Sequence, residues 1–278
     1  MKTQKIRWLV VVVALLIMVI AAETSMAQAG WTKFRPGSGI TLEGYKGDLK
    51  HWKQLSFATS VWFISGDFEM APNYYISFEL PFAHFDATSE YDFKAQNLVG
   101  NPYLGFRYEK DSSGGLFRVG IRFPLIKAES DKYYAMEYGM LTTFDRFEAF
   151  IPELFTMSAA GGYKYVSPGG ITTRFLLGPV LFMPKDEDKE LWGDYSVHLW
   201  YQYKMLTVGG GMAGRFLVAS EYASYVDFGE RFVNRIEFAG KVGLGRICPG
   251  LHIQIPLDSD QREDIGLSYG LDLAIAFK

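Results

Sequence analysis

The chain has 278 residues, of which 16% are aromatic and 21% charged, and its formal net charge is −3. This small negative charge argues against nucleic-acid binding, and the single cysteine excludes an intrachain disulfide. Abundant aromatic residues and 29 glycines, without a long apolar run after residue 29, favour an all-β protein.

The amino-terminal segment predicts export. Residues 2–7 include three basic side chains, residues 8–22 form an uninterrupted apolar run, and Ala27-Gln28-Ala29 is a small-x-small cleavage site. The run is shorter than the roughly 20 residues that a spanning helix needs, although a retained membrane anchor is the alternative. We therefore predict a cleaved signal peptide over residues 1–29 and an outer-membrane β-barrel over residues 30–278.

Two strands are predicted early in the mature chain. Residues 55–63 are apolar at alternate positions, up to Val61 and Phe63, and these side chains are expected to share the outward face. Ser65-Gly66-Asp67 reads as a turn. Residues 74–82 then alternate again, with apolar side chains on the outward face and polar ones opposite.

The clearest hairpin lies between residues 104 and 125. Alternating runs over 104–108 and 117–125 flank a polar, glycine-containing turn at 110–115. The two periodicities agree without a bulge. They predict three cross-strand pairs: Tyr108 with Phe117, Arg107 with Arg118, and Tyr103 with Arg122.

Later strands are predicted over 153–166, 170–183, 194–204, 206–219, 231–245, 249–258 and 265–277. Residues 133–147 could form a strand or a short helix, and residues 39–46 are also uncertain. Counting 133–147 as a strand gives about twelve strands. An even number is expected for a bacterial barrel, with both termini and short turns such as 167–170 in the periplasm and longer loops outside.

The last strand indicates a membrane barrel. From Ile265 to Phe277 every second residue is apolar or aromatic, and small or polar residues lie between them. A secreted barrel with an apolar interior shows the same alternation. However, so many apolar strand faces would give a soluble single-layer barrel a wide apolar cavity, which argues against a soluble barrel. An aromatic residue next to the last position favours a bacterial outer-membrane location. We therefore predict an all-β fold, a transmembrane up-and-down antiparallel β-barrel.

Part of the sequence resembles a known family. Three motifs carry the resemblance: Phe78-Glu79-Leu80-Pro81-Phe82, the segment from Val99 to Tyr108 that begins Val99-Gly100-Asn101-Pro102, and Arg122-Phe123-Pro124-Leu125. They are similar to the outer-membrane barrel transporters named after a phenol meta-cleavage pathway. Asn101 stands where that pattern has Asp. The resemblance implies an outer-membrane barrel for hydrophobic or aromatic compounds. The Gly-Asn-Pro turn is expected to be structural, because Gly and Asn tolerate the backbone angles of a strand entry.

Charged and polar residues on the predicted inward faces are the candidates for lining a lumen and setting selectivity: Glu79, Arg107, Arg118, Arg122, His198, Lys204, Arg235, Glu237, Lys241 and Asp272. Two interpretations are open. The arginines of the hairpin could form a basic constriction that selects anionic or polar aromatic solutes. Alternatively, they could form a salt-bridge ladder with the carboxylates that plugs and stiffens the barrel, and this second interpretation is favoured.

No catalytic, metal-binding or cofactor-binding residue is predicted. Ser196 and His198 share a strand face but lie about 7 Å apart along it, too far for direct activation of the hydroxyl. His198 and His252 have no sequence-local spacing of metal ligands. The glycines at 209–211 are not followed by the Lys-Ser/Thr of a phosphate loop.

The function that the sequence supports best is a porin-like channel or transporter in a Gram-negative outer membrane, passing small, hydrophobic or aromatic solutes by passive diffusion. The alternatives are a structural or surface-interaction barrel with a closed lumen and, less favoured, a lipid-modifying barrel enzyme. The expected partners are outer-membrane lipid and lipopolysaccharide, the barrel-assembly machinery and a small-molecule solute. Nucleic acid is not expected, and the barrel is expected to be a monomer.

Overall fold

A computed structural model describes residues 37–52, 55–87, 94–128, 131–220 and 231–277. The predicted signal peptide, residues 1–29, lies outside these ranges. The strands within them are β1 Gly39–Leu49, β2 Ser60–Ala71, β3 Tyr74–Phe85, β4 Gln96–Val99, β5 Tyr103–Glu109, β6 Gly114–Arg122, β7 Leu154–Val166, β8 Ile171–Pro184, β9 Glu190–Tyr203, β10 Leu206–Ala219, β11 Phe232–Val242, β12 Ile247–Pro256 and β13 Ile265–Ala276. The helices are α1 Tyr133–Thr142, a 3₁₀ helix Phe147–Ala149 and α2 Ser259–Asp264. None of the helices in the described ranges has the length and apolar character needed to cross a membrane.

The strands form one closed antiparallel barrel. β1 pairs with both β2 and β13, and β2 pairs with β3, so the sheet has no free edge. β4 and β5 pair with successive parts of β3 and together occupy one position in the ring. The barrel is therefore twelve-stranded, as predicted. Both chain ends of the barrel lie at its turn end, where the connections are short; the opposite, loop end carries the longer connections.

The register of the β5–β6 hairpin agrees with the prediction from alternation. Tyr108 faces Phe117, Arg107 faces Arg118, and Tyr103 faces Arg122. The strand ends at Arg122, so the predicted extension to residue 125 is wrong. Because side chains alternate across a strand, this register places all three arginines in the lumen.

The outer surface of the barrel is apolar along the last strand. Leu271, Leu273 and Ile275 are exposed, whereas Asp272 and Ala274 are buried in the interior. Ile265 differs from the prediction and is buried, because β13 carries one extra residue between Ile265 and Ser268, opposite Gly47 to Leu49 of β1, and this shifts the register there. A one-residue shift moves a side chain to the other face of the sheet.

In the segment 133–147, residues 133–142 form helix α1 and residues 143–146 form a turn, so the strand alternative is wrong. β1 supplies the twelfth strand instead. Buried positions in α1 do follow helical spacing, since Ala135, Tyr138, Gly139 and Thr142 are all buried. The remaining face of α1 is also largely apolar, which hides this period in the sequence.

Two predictions for β2 are also wrong. Ser65-Gly66-Asp67 lies within the strand and pairs with both neighbouring strands. Val61 and Phe63 point inward and are 0% exposed, whereas Trp62 faces out. Both faces of β2 are apolar near the loop end, because an apolar core fills the lumen there. Alternation consequently could not identify the inward face.

Candidate functional site

The long connection between β6 and β7 folds into the barrel in its described parts, residues 123–128 and 131–153, which are called the inward loop. Its helix α1 packs against β1, β2 and β3 and builds an apolar core with Tyr45, Phe63 and Phe85 inside the lumen. Polar contacts fix the helix at its carboxyl end, where Ser268 Oγ donates a hydrogen bond of 2.6 Å to the carbonyl of Thr142. The inward loop is thus part of the folded interior of the barrel.

Asn101 ties both ends of the inward loop to the wall. Its side chain is 0% exposed and makes four hydrogen bonds. The Nδ2 group donates to the carbonyls of Glu148 (3.2 Å) and Ile151 (2.6 Å). The Oδ1 atom accepts from the backbone amides of Leu125 (2.8 Å) and Ile126 (3.0 Å). This use of both donor and acceptor requires an amide, which gives a physical reason for Asn where the resemblance has Asp. The expectation of a structural role for this turn agrees with the geometry.

Arg146 binds the inward loop to one side of the barrel. Its guanidinium lies 2.7 Å from Glu43 of β1 and 2.7 Å from Glu79 of β3. It also donates a hydrogen bond of 2.7 Å to the hydroxyl of Tyr45 and lies 3.8 Å from the ring centre of Phe63. Two carboxylates and an aromatic face therefore hold one cation of the loop.

Glu148 binds the inward loop to the other side. Its carboxylate accepts hydrogen bonds of 2.6 and 3.2 Å from Arg215 of β10 and lies 3.9 Å from Arg122 of β6. Burial alone would raise the pKa of Glu148, but the guanidinium groups of Arg215 and Arg122 outweigh it and lower the pKa to about 2. The loop is therefore held by a negative charge as well as by a positive one.

The inward loop leaves part of the lumen open. A cavity of about 300 Å³ lies between the loop and the wall. Asp145, Arg146 and Glu148 border it from the loop, and strands β2, β3 and β5 to β11 supply the rest of its lining. Its charged wall residues are Asp67, Glu79, Arg107, Arg118, Arg122, Arg174, Asp194, Arg215, Arg235 and Glu237.

Seven of the ten predicted lumen residues fall into three groups of contacts. Glu79 lies 2.7 Å from Arg122, next to the inward loop. Glu237 binds Arg235 and lies 2.8 Å from His198. Asp272 lies 3.4 Å from Lys241 and 2.8 Å from His252. These pairs have the geometry of a salt-bridge ladder along the inside of the wall.

The hairpin arginines separate into two environments. Arg122 lies beside the inward loop and donates a hydrogen bond of 2.7 Å to the carbonyl of Asn101. Arg107 lies nearer the turn end, 3.1 Å from Asp67 and 3.2 Å from Glu109. Arg118 is only half-buried and lines the cavity, and no residue in the described part of the chain forms an ion pair with it.

Lys204 was predicted to face the lumen, and this is wrong. It lies in the short turn between β9 and β10, where its side chain is exposed and its φ is 52°. Its ammonium group lies 5.4 Å from the ring centre of Tyr203, which it follows directly. β9 ends one residue earlier than predicted, so the alternation does not extend to residue 204.

Ser196 and His198 do share the inward face and both line the cavity. The His198 imidazole is engaged by Glu237 at 2.8 Å. Within the described ranges, no group of three His, Cys, Asp or Glu side chains is placed to hold a metal ion.

Several contacts that shape the lumen involve residues not singled out from the sequence. Arg146, Glu148, Arg174 and Arg215 were not among the candidates. Arg146 and Glu148 lie in a segment without strand alternation, so no periodic pattern in the sequence indicates that they point inward. A weak signal existed in composition, because the sequence Asp145-Arg146-Phe147-Glu148 places three charges inside an otherwise apolar segment.

Two solved structures share this architecture. The crystal structure of an outer membrane channel from Pseudomonas putida F1 matches with a TM-score of 0.63 at 8% identity, over 91% of this chain and 100% of that chain. LpxR from Salmonella typhimurium matches with a TM-score of 0.50 at 9% identity, over 86% of this chain and 100% of its own. No family model and no curated protein matches the sequence. At such low identity the likeness establishes the outer-membrane barrel fold, and this fold by itself does not determine the function.

Proposed function

We propose that the protein is an outer-membrane channel through which small solutes diffuse passively. The observation that carries the proposal is the polar cavity of about 300 Å³ inside a closed barrel, bordered by charged side chains of both the wall and the inward loop. A purely structural barrel has no need for an open polar space. The likeness to the Pseudomonas putida channel over 91% of this chain supports the same role.

The inward loop would act as the constriction of this channel. It enters from the loop end and is bound on one side through Arg146 and on the other through Glu148. A solute passing the barrel has to pass between the loop and the wall, where charged side chains set which solutes enter. No energy input is needed, because the driving force is the solute gradient. The proposal assigns no catalytic residue.

The proposal places the chain in the bacterial outer membrane as a monomer. Its apolar strand faces would contact lipid, with lipopolysaccharide at the outer leaflet, and the assembly machinery would insert it after cleavage of residues 1–29. The short turns would face the periplasm and the longer loops the outside. The resemblance of residues 62–125 to the phenol meta-pathway transporters supports hydrophobic or aromatic compounds as solutes.

A closed, structural barrel is the second candidate. The observation that favours it is the density of ion pairs around the inward loop, where Arg146 touches two wall carboxylates. Buried pairs of this kind are costly to separate. In that case the cavity would be a sealed, hydrated space.

Swelling of proteoliposomes separates the two candidates. The purified mature barrel is reconstituted into liposomes, and light scattering follows the entry of solutes of increasing size. Liposomes with heat-denatured protein serve as the control. The channel predicts swelling with the smallest solutes and a sharp loss of rate with size, because the cavity is small. No swelling with any solute, together with no conductance in planar bilayers, would establish the closed barrel instead.

A further inference from the structure

One part of the cavity wall carries more positive than negative charge. Arg107 of β5 and Arg118 of β6 are cross-strand partners, and Arg174 of β8 lines the same cavity. Lys164 of β7 is the cross-strand partner of Arg174. Four cations from four consecutive strands are therefore gathered toward the turn end of the lumen.

In the described ranges, two carboxylates form ion pairs with these cations, and the exposed Asp111 acts on Lys164 from the adjoining turn. Glu109 lies 3.2 Å from Arg107, 3.2 Å from Arg174 and 3.1 Å from Lys164. Asp67 lies 3.1 Å from Arg107. Arg118 has no ion pair among the described residues. Like charges repel strongly at such distances in a partly dry lumen, so this arrangement favours an additional negative charge.

Elsewhere in the cavity the cations are matched. Arg146 has Glu43 and Glu79, and Arg215 has Glu148 and Asp194. Arg235 has Glu237. The positive excess is thus local to the wall formed by β5, β6 and β8.

Unused hydrogen-bond donors lie in the same place. The Nε atoms of Arg107 and Arg174 are buried without a hydrogen-bond partner in the structure. Their side chains are only 9% and 8% exposed. Buried donors are normally satisfied, and guanidinium groups match the two oxygens of an oxyanion particularly well.

The neighbouring wall is apolar. Ala160 and Leu176 are buried beside the three arginines and also line the cavity, and Val180 continues this surface. A cavity of about 300 Å³ lies at the lower end of the size range of small-molecule sites. The space therefore suits a compact ligand with one charged and one apolar end.

We propose that Arg107, Arg118 and Arg174 form a binding site for a small organic carboxylate inside the lumen. The carboxylate lies against Arg118, the residue without an ion pair, and the apolar body lies toward Leu176. This inference rests on the proposed channel function, in which the site would select the solute that passes. An inorganic oxyanion shares the charged group but lacks the apolar body.

Calorimetric titration of the purified, detergent-solubilised barrel tests the site without any need for transport. The probes are hexanoate, its neutral analogue hexanamide, and inorganic phosphate. We expect hexanoate to bind at least about tenfold more tightly than hexanamide, because a charge-assisted hydrogen bond is lost with the amide. We also expect phosphate to bind more weakly than hexanoate. Equal binding of hexanoate and hexanamide overturns the proposal, and so does stronger binding of phosphate.

Matched variants locate the site. Arg118→Gln should weaken hexanoate binding by about tenfold or more. Arg246→Gln removes the same charge from an exposed turn at the same end of the barrel and should leave binding unchanged. Heat-modifiable gel mobility checks that both variants fold, and the comparison of hexanoate with hexanamide needs no variant at all. Hexanoate binding that is unchanged in Arg118→Gln overturns the site even if the protein conducts. Conversely, binding without any solute flux would leave the site intact and contradict the channel.

Discussion

Arg146 and Glu148 are two residues apart in the inward loop, and they bind strands that face each other across the barrel. Arg146 contacts Glu79 of β3 at 2.7 Å, and Glu148 contacts Arg215 of β10 at 2.6 Å. β3 and β10 are half a turn apart in the ring of twelve strands. One short segment with two opposite charges therefore connects opposite sides of the wall through the lumen. The position of the loop consequently depends on ion pairs with both sides.

The first prediction concerns pH. Because Arg215 and Arg122 lower the pKa of Glu148 to about 2, against about 4.3 for an unperturbed glutamate, its ionised form stabilises the fold. This contribution is complete above about pH 5 and is lost as the pH falls toward 2. Wild type should therefore be more stable than Glu148→Gln at pH 7, and the difference should shrink by about 3 kcal/mol on acidification. Urea unfolding of the reconstituted barrel measures it.

Glu137→Gln is the control for this prediction. Glu137 lies on α1 in the same loop, where burial and the Asp264 carboxylate raise its pKa. The difference between wild type and Glu137→Gln should therefore not shrink in the same way on acidification. A constant difference between wild type and Glu148→Gln from pH 7 to pH 3 would contradict the assignment.

The second prediction concerns Asn101. Asn101→Asp replaces two donors by acceptors, which leaves the carbonyls of Glu148 and Ile151 without partners beside a buried charge. The free energy of unfolding should fall by about 3 kcal/mol. Asn97→Asp is the matched control, because Asn97 is exposed and its Oδ1 atom, which the substitution keeps, is the atom that contacts Nδ1 of His84 at 2.8 Å. Equal stability of the two variants would show that Asn101 does not hold the loop.

The third prediction concerns the close approach of Tyr103 to β6. Its ring lies directly over Gly120 of β6 and Gly105 of its own strand, so a Cβ atom at either position would overlap with it. Gly120→Ala should lower the free energy of unfolding by about 1 to 3 kcal/mol, because the ring has to move. Gly115→Ala on the same strand should have little effect, since its nearest neighbour is 4.0 Å away. Equal effects in urea unfolding would contradict this packing.

The wall of the barrel could be predicted from the sequence where its two faces differ. The β5–β6 register followed from alternation on both strands and a polar turn between them, and it is confirmed for Arg107, Arg118 and Arg122. In β2 the same reasoning fails at Val61 and Phe63, because the lumen is apolar there. Periodicity identifies the inward face of a strand only where its two faces differ in polarity, and the apolar part of the lumen removes that difference.

The contacts of the inward loop could not be predicted in this way. Arg146 and Glu148 lie in a segment without strand periodicity, and their wall partners lie far away in the sequence. Alternation along the strands correctly places Glu79 and Glu237 on the inward face. The inward position does not determine with which cation each carboxylate forms an ion pair. The error at Lys204 arose at a strand end, where one residue decides between lumen and turn.

Single-channel recording in planar bilayers tests most directly whether the barrel is a channel narrowed by its inward loop. Wild type is compared with Glu148→Gln, which removes the ion pair between the inward loop and Arg215 of β10, and with Glu137→Gln as the control in the same loop. We predict a small conductance for wild type and for Glu137→Gln. We predict larger or more frequent openings for Glu148→Gln. A wild-type barrel without conductance, with a Glu148→Gln variant that folds and is equally silent, would contradict the account.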